Sequence, residues 1–312
     1  MEKLSSENLN YAQEQFELGK KYYYGEGVEQ NYEEALKHIQ IAANKGLAEA
    51  LYFLGDYYNK YFQTEDECAK TVRYFKAAAK KGLAIAQCSL GTFYANGQGV
   101  EQSYTEAAKY YKLAAEQGNA QAQNLLGVCY EKGQGVEQNY EDAIKYFKLS
   151  ADQNFADAQY NLGVCYANGW GVKQNIIEAI KYYKLAAACP WHKNAKFELG
   201  LCYETGNGVE QNYTEAVKYY KLAAALWHVG AEYNLAICYY NGQGVEQNYE
   251  EAVKHFMSAA DEGNAQAQYY AGICFQNGNG VKQNINEAIW YFEKAAEQGH
   301  EDAIKMLKSM GR

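Results

Sequence analysis

The chain repeats one pattern of apolar and polar positions about every 36 residues. In one such segment Ala122, Leu126 and Cys129 follow one another at steps of four and three, which places them on one face of a helix. The pattern then breaks at a glycine-rich turn, residues 133–136. A second apolar stripe follows each turn, as in Ala107, Tyr111, Ala114 and Ala115. Each segment therefore predicts two amphipathic helices joined by a turn.

A leucine-glycine pair marks the register of these segments. It stands at Leu18-Gly19, Leu54-Gly55, Leu90-Gly91, Leu126-Gly127, Leu162-Gly163 and Leu199-Gly200, and it returns in altered form at Leu235-Ala236 and Ala271-Gly272. The steps are 36 residues, except for one of 37 between Gly163 and Gly200. A period of this length is typical of stacked helical units, none of which can bury its apolar face alone. The sequence predicts an all-α chain of eight helix pairs.

The ends of the second helix also follow a pattern. An asparagine or serine precedes a glutamate by three residues at Asn31/Glu34, Ser103/Glu106, Asn175/Glu178, Asn212/Glu215, Asn248/Glu251 and Asn284/Glu287, which predicts reciprocal capping boxes. Glycine follows the helix at Gly46, Gly82, Gly118, Gly263 and Gly299, where a left-handed residue would end it. The second segment lacks the glycine turn at residues 61–64, and Thr64 with Glu67 is expected to cap an earlier helix start there.

The spacing of these residues resembles the tetratricopeptide pattern with four residues added to the turn between the helices. The residues that carry this resemblance are Leu90, Gly91, Tyr94, Ala107, Tyr111 and Ala114. The turn at residues 97–100 is similar to that of the Sel1-like repeat family. The resemblance implies a right-handed α-solenoid, a superhelix of antiparallel helix pairs that serves as an adaptor for protein complexes. On this basis we expect a single domain over residues 1–312: an N-terminal cap at 1–11, eight repeats over 12–299, and a C-terminal capping helix at 300–312.

Charge and hydropathy limit the classes of partner that the protein is expected to bind. With 29 basic and 38 acidic side chains the net charge is −9, which opposes binding to nucleic acid or anionic membranes. No apolar stretch approaches the roughly 20 residues of a membrane span, and residues 1–11 lack the apolar core of a signal peptide. We expect a cytoplasmic protein, favoured as a monomer, without membrane insertion, although a specialised secretion system could export it.

The cysteines distinguish this chain from the secreted branch of the resembling family, which joins two cysteines within each repeat. Here the cysteine occurs once per repeat in the same register, at Cys129, Cys165, Cys202, Cys238 and Cys274, while Cys68, Cys88 and Cys189 have no partner in their repeat. These are expected to be buried apolar groups in a reducing compartment. An alternative function, as a small-molecule-binding or hydrolytic relative of that secreted branch, would require paired cysteines.

No pattern of catalytic, cofactor-binding or metal-binding residues is recognisable. The five histidines, His38, His192, His228, His255 and His300, look scattered, and no cysteine pair has zinc-site spacing. The glycine turns lack the strand and the lysine of a phosphate-binding loop. The sequence therefore predicts a non-enzymatic protein with no cofactor and no metal.

Three sets of residues are candidates for holding a protein or peptide partner in a concave groove. If the first helices line that groove, the position two residues before each repeat leucine points into it: Phe16, Tyr52, Cys88, Asn124, Tyr160, Phe197, Tyr233 and Tyr269. Asparagines before the glycine turn could clamp a peptide backbone or could take a left-handed helix end: Asn96, Asn168, Asn241 and Asn277. Tryptophans at irregular edges complete the set: Trp170, Trp191 and Trp227. The sequence leaves open whether the aromatic row is exposed or packed as core, and whether the tryptophans bind or fill space.

Overall fold

The computed structural model describes residues 6–61 and 64–311. Within these residues all regular structure is α-helical, and the helices form two compact units, Met1–Phe155 and Ala156–Arg312. Three parts of the predicted features lie outside the described residues. They are the first five residues of the expected N-terminal cap, Phe62 and Gln63 of the irregular second turn, and Arg312 of the expected capping helix.

The helices alternate between a first and a second member of each repeat. The first unit holds α1 (Ser6–Tyr24), α2 (Tyr32–Asn44), α3 (Ala48–Tyr61), α4 (Glu65–Lys80), α5 (Ala84–Asn96), α6 (Tyr104–Glu116), α7 (Ala120–Lys132) and α8 (Tyr140–Ala151). The second unit holds α9 (Ala156–Asn168), α10 (Ile176–Ala187), α11 (Lys193–Thr205), α12 (Tyr213–Ala224), α13 (Val229–Asn241), α14 (Tyr249–Asp261), α15 (Ala265–Asn277), α16 (Ile285–Glu297) and α17 (Glu301–Ser309). The two helices of a repeat pack against each other, and inside each unit the second helix also packs against the next repeat. The fold class is the predicted all-α solenoid.

Of the two hydrogen bonds in each predicted capping box, the one accepted by the asparagine or serine side chain is present, but the one accepted by the glutamate is mostly replaced by an ion pair. The asparagine or serine side chain does accept a hydrogen bond from the backbone N–H three residues later at each of the six sites, for example Asn212 Oδ1 from Glu215 N at 3.0 Å. In five of these repeats, however, the glutamate turns toward a lysine one helical turn further on, as in Glu251 Oε1 and Lys254 Nζ at 2.6 Å. The exposed glutamate has a cationic neighbour there, which competes with the backbone N–H. At Thr64, Glu67 Oε2 accepts from both the backbone N and the hydroxyl, and the second helix starts early as predicted.

Glycine ends the second helices in the way the sequence predicts. Gly46, Gly82, Gly118, Gly263 and Gly299 have φ between 81° and 92°, the left-handed region that costs glycine little. In the fourth and sixth repeats the same left-handed position is taken by Asn154, with φ 61°, and by Trp227, with φ 59°.

The leucine-glycine pair positions the two helices of a repeat. The leucine is buried, and the glycine lets an aromatic ring of the second helix lie directly on the backbone of the first. A Cβ atom at Gly127 would lie 2.6 Å from Cδ1 of Phe147, and one at Gly91 would lie 2.7 Å from Cδ1 of Tyr111. Both distances are too short for a carbon contact. The pair therefore combines an apolar anchor with the close approach of two helices.

The cysteines that recur once per repeat lie in this core, as predicted, and Cys88 is buried as well. Burial raises the pKa of Cys129 and Cys202 to about 11 and the pKa of Cys88, Cys238 and Cys274 to about 12. Thiols in such surroundings behave as small apolar groups.

The last helix, α17, packs on α16. Ala303 is buried, and Met306, Leu307 and Met310 pack against the cluster around Phe292. Lys305 and Lys308 face solvent. The amphipathic pattern that predicted a helix here is confirmed for the described residues.

Candidate functional site

The aromatic row on the first helices is half-buried in most repeats. In the second unit its four rings each lie against an aromatic ring of the second helix in the same repeat, with centroids 5.8 to 6.1 Å apart: Tyr160 on Tyr183, Phe197 on Tyr220, Tyr233 on Phe256 and Tyr269 on Phe292. In the first unit Tyr52 also packs on a ring of the second helix in its repeat, Phe75, but more nearly parallel, with centroids 5.4 Å apart and 24° between the planes. One face of each ring is thus used in packing, while part of the ring stays accessible.

Phe16 differs from the rest of the row. It is only 7% exposed and belongs to the core of the first repeats, where its ring meets Phe53 edge-on at 6.0 Å. Cys88 and Asn124, which interrupt the row, are buried as well. The accessible part of the row therefore consists of Tyr52 in the first unit and of Tyr160, Phe197, Tyr233 and Tyr269 in the second.

Three of the histidines support this row, so the expectation that they are scattered was wrong. His192 packs on Tyr160 with centroids 5.0 Å apart, His228 on Phe197 at 4.2 Å, and His300 on Tyr269 at 4.7 Å. Each of them also caps the following helix, since its Nδ1 accepts a hydrogen bond from a backbone N–H three residues later at 3.1 to 3.3 Å. The repeat register was visible in the sequence, because His192 and His228 are 36 residues apart and His300 follows 72 residues later.

Two carboxylates lie among the rings of the second unit. The hydroxyl of Tyr220 donates a hydrogen bond to Glu204. Burial raises the pKa of the Glu198 carboxyl, and burial followed by the charge of Glu198 raises the pKa of Tyr160 to about 12. Burial also raises the pKa of Tyr233 to about 12. At neutral pH the tyrosines of this surface are uncharged hydrogen-bond donors.

The asparagine row has a different place from the one expected of a left-handed helix end. Asn96, Asn168, Asn241 and Asn277 are the last residues of α5, α9, α13 and α15, and the glycine that follows each of them takes the left-handed conformation. The side chains are exposed; Asn168 Nδ2 donates to the carbonyl oxygen of Val164 at 2.9 Å. The left-handed interpretation is therefore wrong, because glycine meets that requirement at lower cost.

The tryptophans differ in exposure. Trp170 is 37% exposed, whereas Trp191 is 79% and Trp227 is 78% exposed. Lys193 Nζ donates a hydrogen bond to the carbonyl oxygen of Trp227 at 3.2 Å, which links the edges on which the two most exposed indoles stand. The interpretation of Trp191 and Trp227 as space-filling rings is wrong, since most of each residue is in contact with solvent.

The sequence reasoning missed a second set of aromatic pairs, one in every repeat. Counted from the repeat leucine position, one ring lies four residues later and its partner twenty residues later. The two rings are nearly parallel, with centroids 5.6 to 5.9 Å apart and interplanar angles of 3° to 15°. The eight pairs are Tyr22–His38, Tyr58–Tyr74, Tyr94–Tyr110, Tyr130–Tyr146, Tyr166–Tyr182, Tyr203–Tyr219, Tyr239–His255 and Phe275–Tyr291. Both positions are aromatic in every repeat, which is the signal that could have revealed them. These pairs clamp the two helices of a repeat together and explain much of the tyrosine content.

Two of these pairs carry a further contact. His255 Nδ1 lies 2.5 Å from Glu232 Oε2, and His38 Nδ1 lies 2.7 Å from Gln15 Oε1 at the equivalent positions of the first repeat. Over residues 6–61 and 64–311 no cluster of three or more histidine, cysteine or acidic side chains is placed to hold a metal ion. In the same part of the chain no helix has the length and apolar character needed to cross a membrane.

Comparison with known proteins agrees with the repeat register. The Sel1 repeat profile matches eight times, at residues 15–47, 48–83, 84–119, 120–155, 156–190, 193–226, 229–264 and 265–300. A comparison with curated protein sequences gave no significant match. Among solved structures, the chain is similar to a Sel1 repeat protein from Oxalobacter formigenes, with 27% identity over 96% of this chain and 87% of that one and a TM-score of 0.74.

A second similar structure is a protective antigen present in uropathogenic Escherichia coli strains, which displays an SLR fold. The two chains are 30% identical over 94% of this chain and 70% of the antigen, with a TM-score of 0.68. The eight profile matches cover nearly the whole length, and they coincide with the helix pairs described above. The chain therefore belongs to the Sel1 repeat family.

Proposed function

We propose that this protein is a non-enzymatic scaffold that binds a partner peptide or helix along the exposed edges of Tyr160, Phe197, Tyr233 and Tyr269. Sel1 repeat proteins generally mediate protein–protein interactions. The observation that carries the finer proposal is that four consecutive repeats present a partly exposed ring at the same register position. We call these four rings, three tyrosines and one phenylalanine, the tyrosine surface. A concave groove, one continuous domain, a monomeric state and a cytoplasmic location are parts of the same proposal.

The tyrosine surface is held in place before a partner arrives. Each ring packs on an aromatic residue of the second helix, and three of the four are backed by a histidine as well. A side chain that is already fixed loses little conformational entropy on binding. Rings of this kind supply most of the binding energy in many protein interfaces, and the tyrosine hydroxyls add directional hydrogen bonds. Glu198 and Glu204 give the surface acidic groups that a basic side chain of the partner could meet.

The test is to replace Tyr160, Tyr233 and Tyr269 together with alanine and to measure capture of the native partner by quantitative mass spectrometry. Loss of three interface rings is expected to lower capture by tenfold or more, because single hot-spot truncations cost about 2 kcal/mol or more. Helicity and the melting temperature should fall less. Tyr52→Ala is the matched control, since this ring also packs on the second helix of its repeat but lies in the other unit. Unchanged capture, or a collapse of helicity in the triple variant, would contradict the proposal.

A further inference from the structure

Trp227 occupies a backbone position that other repeats reserve for glycine. Its φ of 59° lies in the left-handed region, where Gly118 and Gly263 stand at the equivalent positions. A bulky residue there is a steric outlier and is strained relative to glycine. A Cβ at Gly118 or Gly263 would have no atom within 4 Å, so a side chain at this position points away from the fold. Packing does not explain an indole here, and strain of this kind suggests a functional role.

Trp191 stands on the corresponding edge of the preceding repeat. It is as exposed as Trp227, and the bond from Lys193 Nζ to the Trp227 carbonyl ties the two edges together. Solitary exposed apolar residues need no explanation, but two exposed indoles on linked edges form a patch suited to contact. We call residues 184–197 and 221–231 the tryptophan edge.

The tryptophan edge is basic in an acidic protein. It contains four lysines, Lys184, Lys193, Lys196 and Lys221, and no aspartate or glutamate, although the chain has a net charge of −9. Lys196 is buried, and its Nζ binds the carbonyl oxygens of Cys189 and Pro190 at 2.7 and 3.0 Å. The other three lysines are exposed.

Two of the acidic groups next to the edge are paired with histidines, and a third, Glu198, is partly buried, which raises the pKa of its carboxyl. Asp157 Oδ1 lies 3.4 Å from His192 Nε2, and Glu232 Oε2 lies 2.5 Å from His255 Nδ1. Lys193 Nζ is bonded to the Trp227 carbonyl, and Lys221 lies six residues before Trp227 in the chain, so both of these exposed lysines are close to this residue.

A pocket of about 410 Å³ lies beside Trp227. Its apolar lining comes from Trp227, Ala224 and the buried Leu235, and its polar lining includes Lys221 and the Glu232–His255 pair. This volume lies near the lower end of the roughly 300–1,000 Å³ of small-molecule pockets, which is enough room for one large side chain. An open recess next to an indole fits a projecting protein side chain better than a flat lipid surface.

We propose that the tryptophan edge binds an acidic segment of a partner protein. A large apolar side chain of that segment enters the pocket beside Trp227 and packs on the indole. Carboxylates on either side of it pair with Lys193 and Lys221. Binding at this edge does not require the tyrosine surface, so it adds a second contact site with a stated partner chemistry.

The test uses the full chain and a displayed library of random dodecapeptides, followed by fluorescence anisotropy with the enriched sequences as labelled synthetic peptides. We expect enriched peptides to carry a large apolar residue within three positions of aspartate or glutamate. Trp227→Gly restores the residue that other repeats use, so it should fold at least as stably as the parent while weakening binding tenfold or more. Lys221→Gln should weaken binding several-fold and reduce its dependence on salt.

Two controls separate this site from others. Asn154→Gly changes the same left-handed position in the first unit and should leave peptide affinity unchanged. The triple alanine variant of the tyrosine surface should also keep it. Enrichment of basic or uncharged peptides, no enrichment at all, or equal affinity in Trp227→Gly would overturn the proposal. Two further results would overturn it. If Trp227→Gly abolished self-association in sedimentation velocity and left peptide binding unchanged, the edge would bind a second copy of the chain. If it abolished binding to phosphatidylserine vesicles and left peptide binding unchanged, the edge would bind a membrane.

Discussion

The imidazole ring of His228 stacks on the ring of Phe197, with centroids 4.2 Å apart and an angle of 26° between the planes. The same histidine begins α13, because its Nδ1 accepts a hydrogen bond from the backbone N of Ala231 at 3.1 Å. One side chain thus fixes a ring of the tyrosine surface and caps a helix. The helix cap depends on an unprotonated Nδ1, since a protonated ring has no acceptor there.

Acidic pH should destabilise the fold through His228. Burial, and then the charge of Lys193, lowers the pKa of His228 below its ordinary value of 6.5. The unfolded chain therefore binds a proton more readily than the folded one, and stability is lost as the pH falls below about 6.5. Thermal unfolding between pH 7.5 and 5 should show this decline. His228→Asn should flatten it, because asparagine does not titrate and caps the equivalent helices at Asn119 and Asn264. An identical decline in the variant would assign the effect to other groups.

Adding one carbon to a repeat glycine should destabilise the fold. In Gly127→Ala the new Cβ would press on the fully buried ring of Phe147 and lie 3.2 Å from the carbonyl oxygen of Ala143. Overpacking of this kind costs about 1–3 kcal/mol, partly offset by the better helix propensity of alanine. We expect a net loss of about 1–2 kcal/mol in the free energy of unfolding, measured by urea titration.

Ala236→Gly is the matched control for that substitution. Alanine is native at this position and is fully buried beside Phe256, so the substitution lowers helix propensity and removes one buried methyl group without adding a clash. The expected loss is about 1–2 kcal/mol, so removing a Cβ here and adding one at Gly127 should both destabilise the fold. A gain of stability in Gly127→Ala would show that the ring of Phe147 can shift freely.

Alkaline pH should destabilise the protein, because its buried thiols keep their protons to a higher pH than the same thiols in the unfolded chain. Burial raises the pKa of Cys238 to about 12, above its ordinary value of 9.0. Between these two values the unfolded chain loses the proton and the folded chain keeps it, so stability falls as the pH rises. Each such group contributes a slope of up to about 1.4 kcal/mol per pH unit. The measurement is the melting temperature from pH 8 to pH 11.

Cys238→Ala removes one titrating thiol, so it should reduce the dependence of stability on pH by the contribution of that thiol. The cavity left by the smaller side chain lowers stability at every pH. Cys68→Ala is the comparison, because this cysteine is only partly buried. Equal slopes in both variants would show that the buried thiol is not a source of the alkaline loss.

Helix pairs and their caps were predictable because they depend on residues close together in the chain. Asn212 and Gly263 each act on backbone groups within a few positions of themselves. The period of 36 residues then multiplies a weak local signal eight times. The reciprocal half of the capping boxes failed because a lysine one turn further on competes for the same carboxylate.

The amino-acid sequence by itself determined the number of repeats, the helix pairs in each and the burial of the recurring cysteines. Only the tertiary structure decided which aromatic rings meet, that Phe16 is core, and that Trp191 and Trp227 are exposed. It also decided that Trp227 adopts a glycine backbone conformation and that His228 serves Phe197. The physical reason is distance along the chain: these contacts join residues 16 to 37 positions apart, where periodicity gives a face of a helix but not the neighbour that covers it.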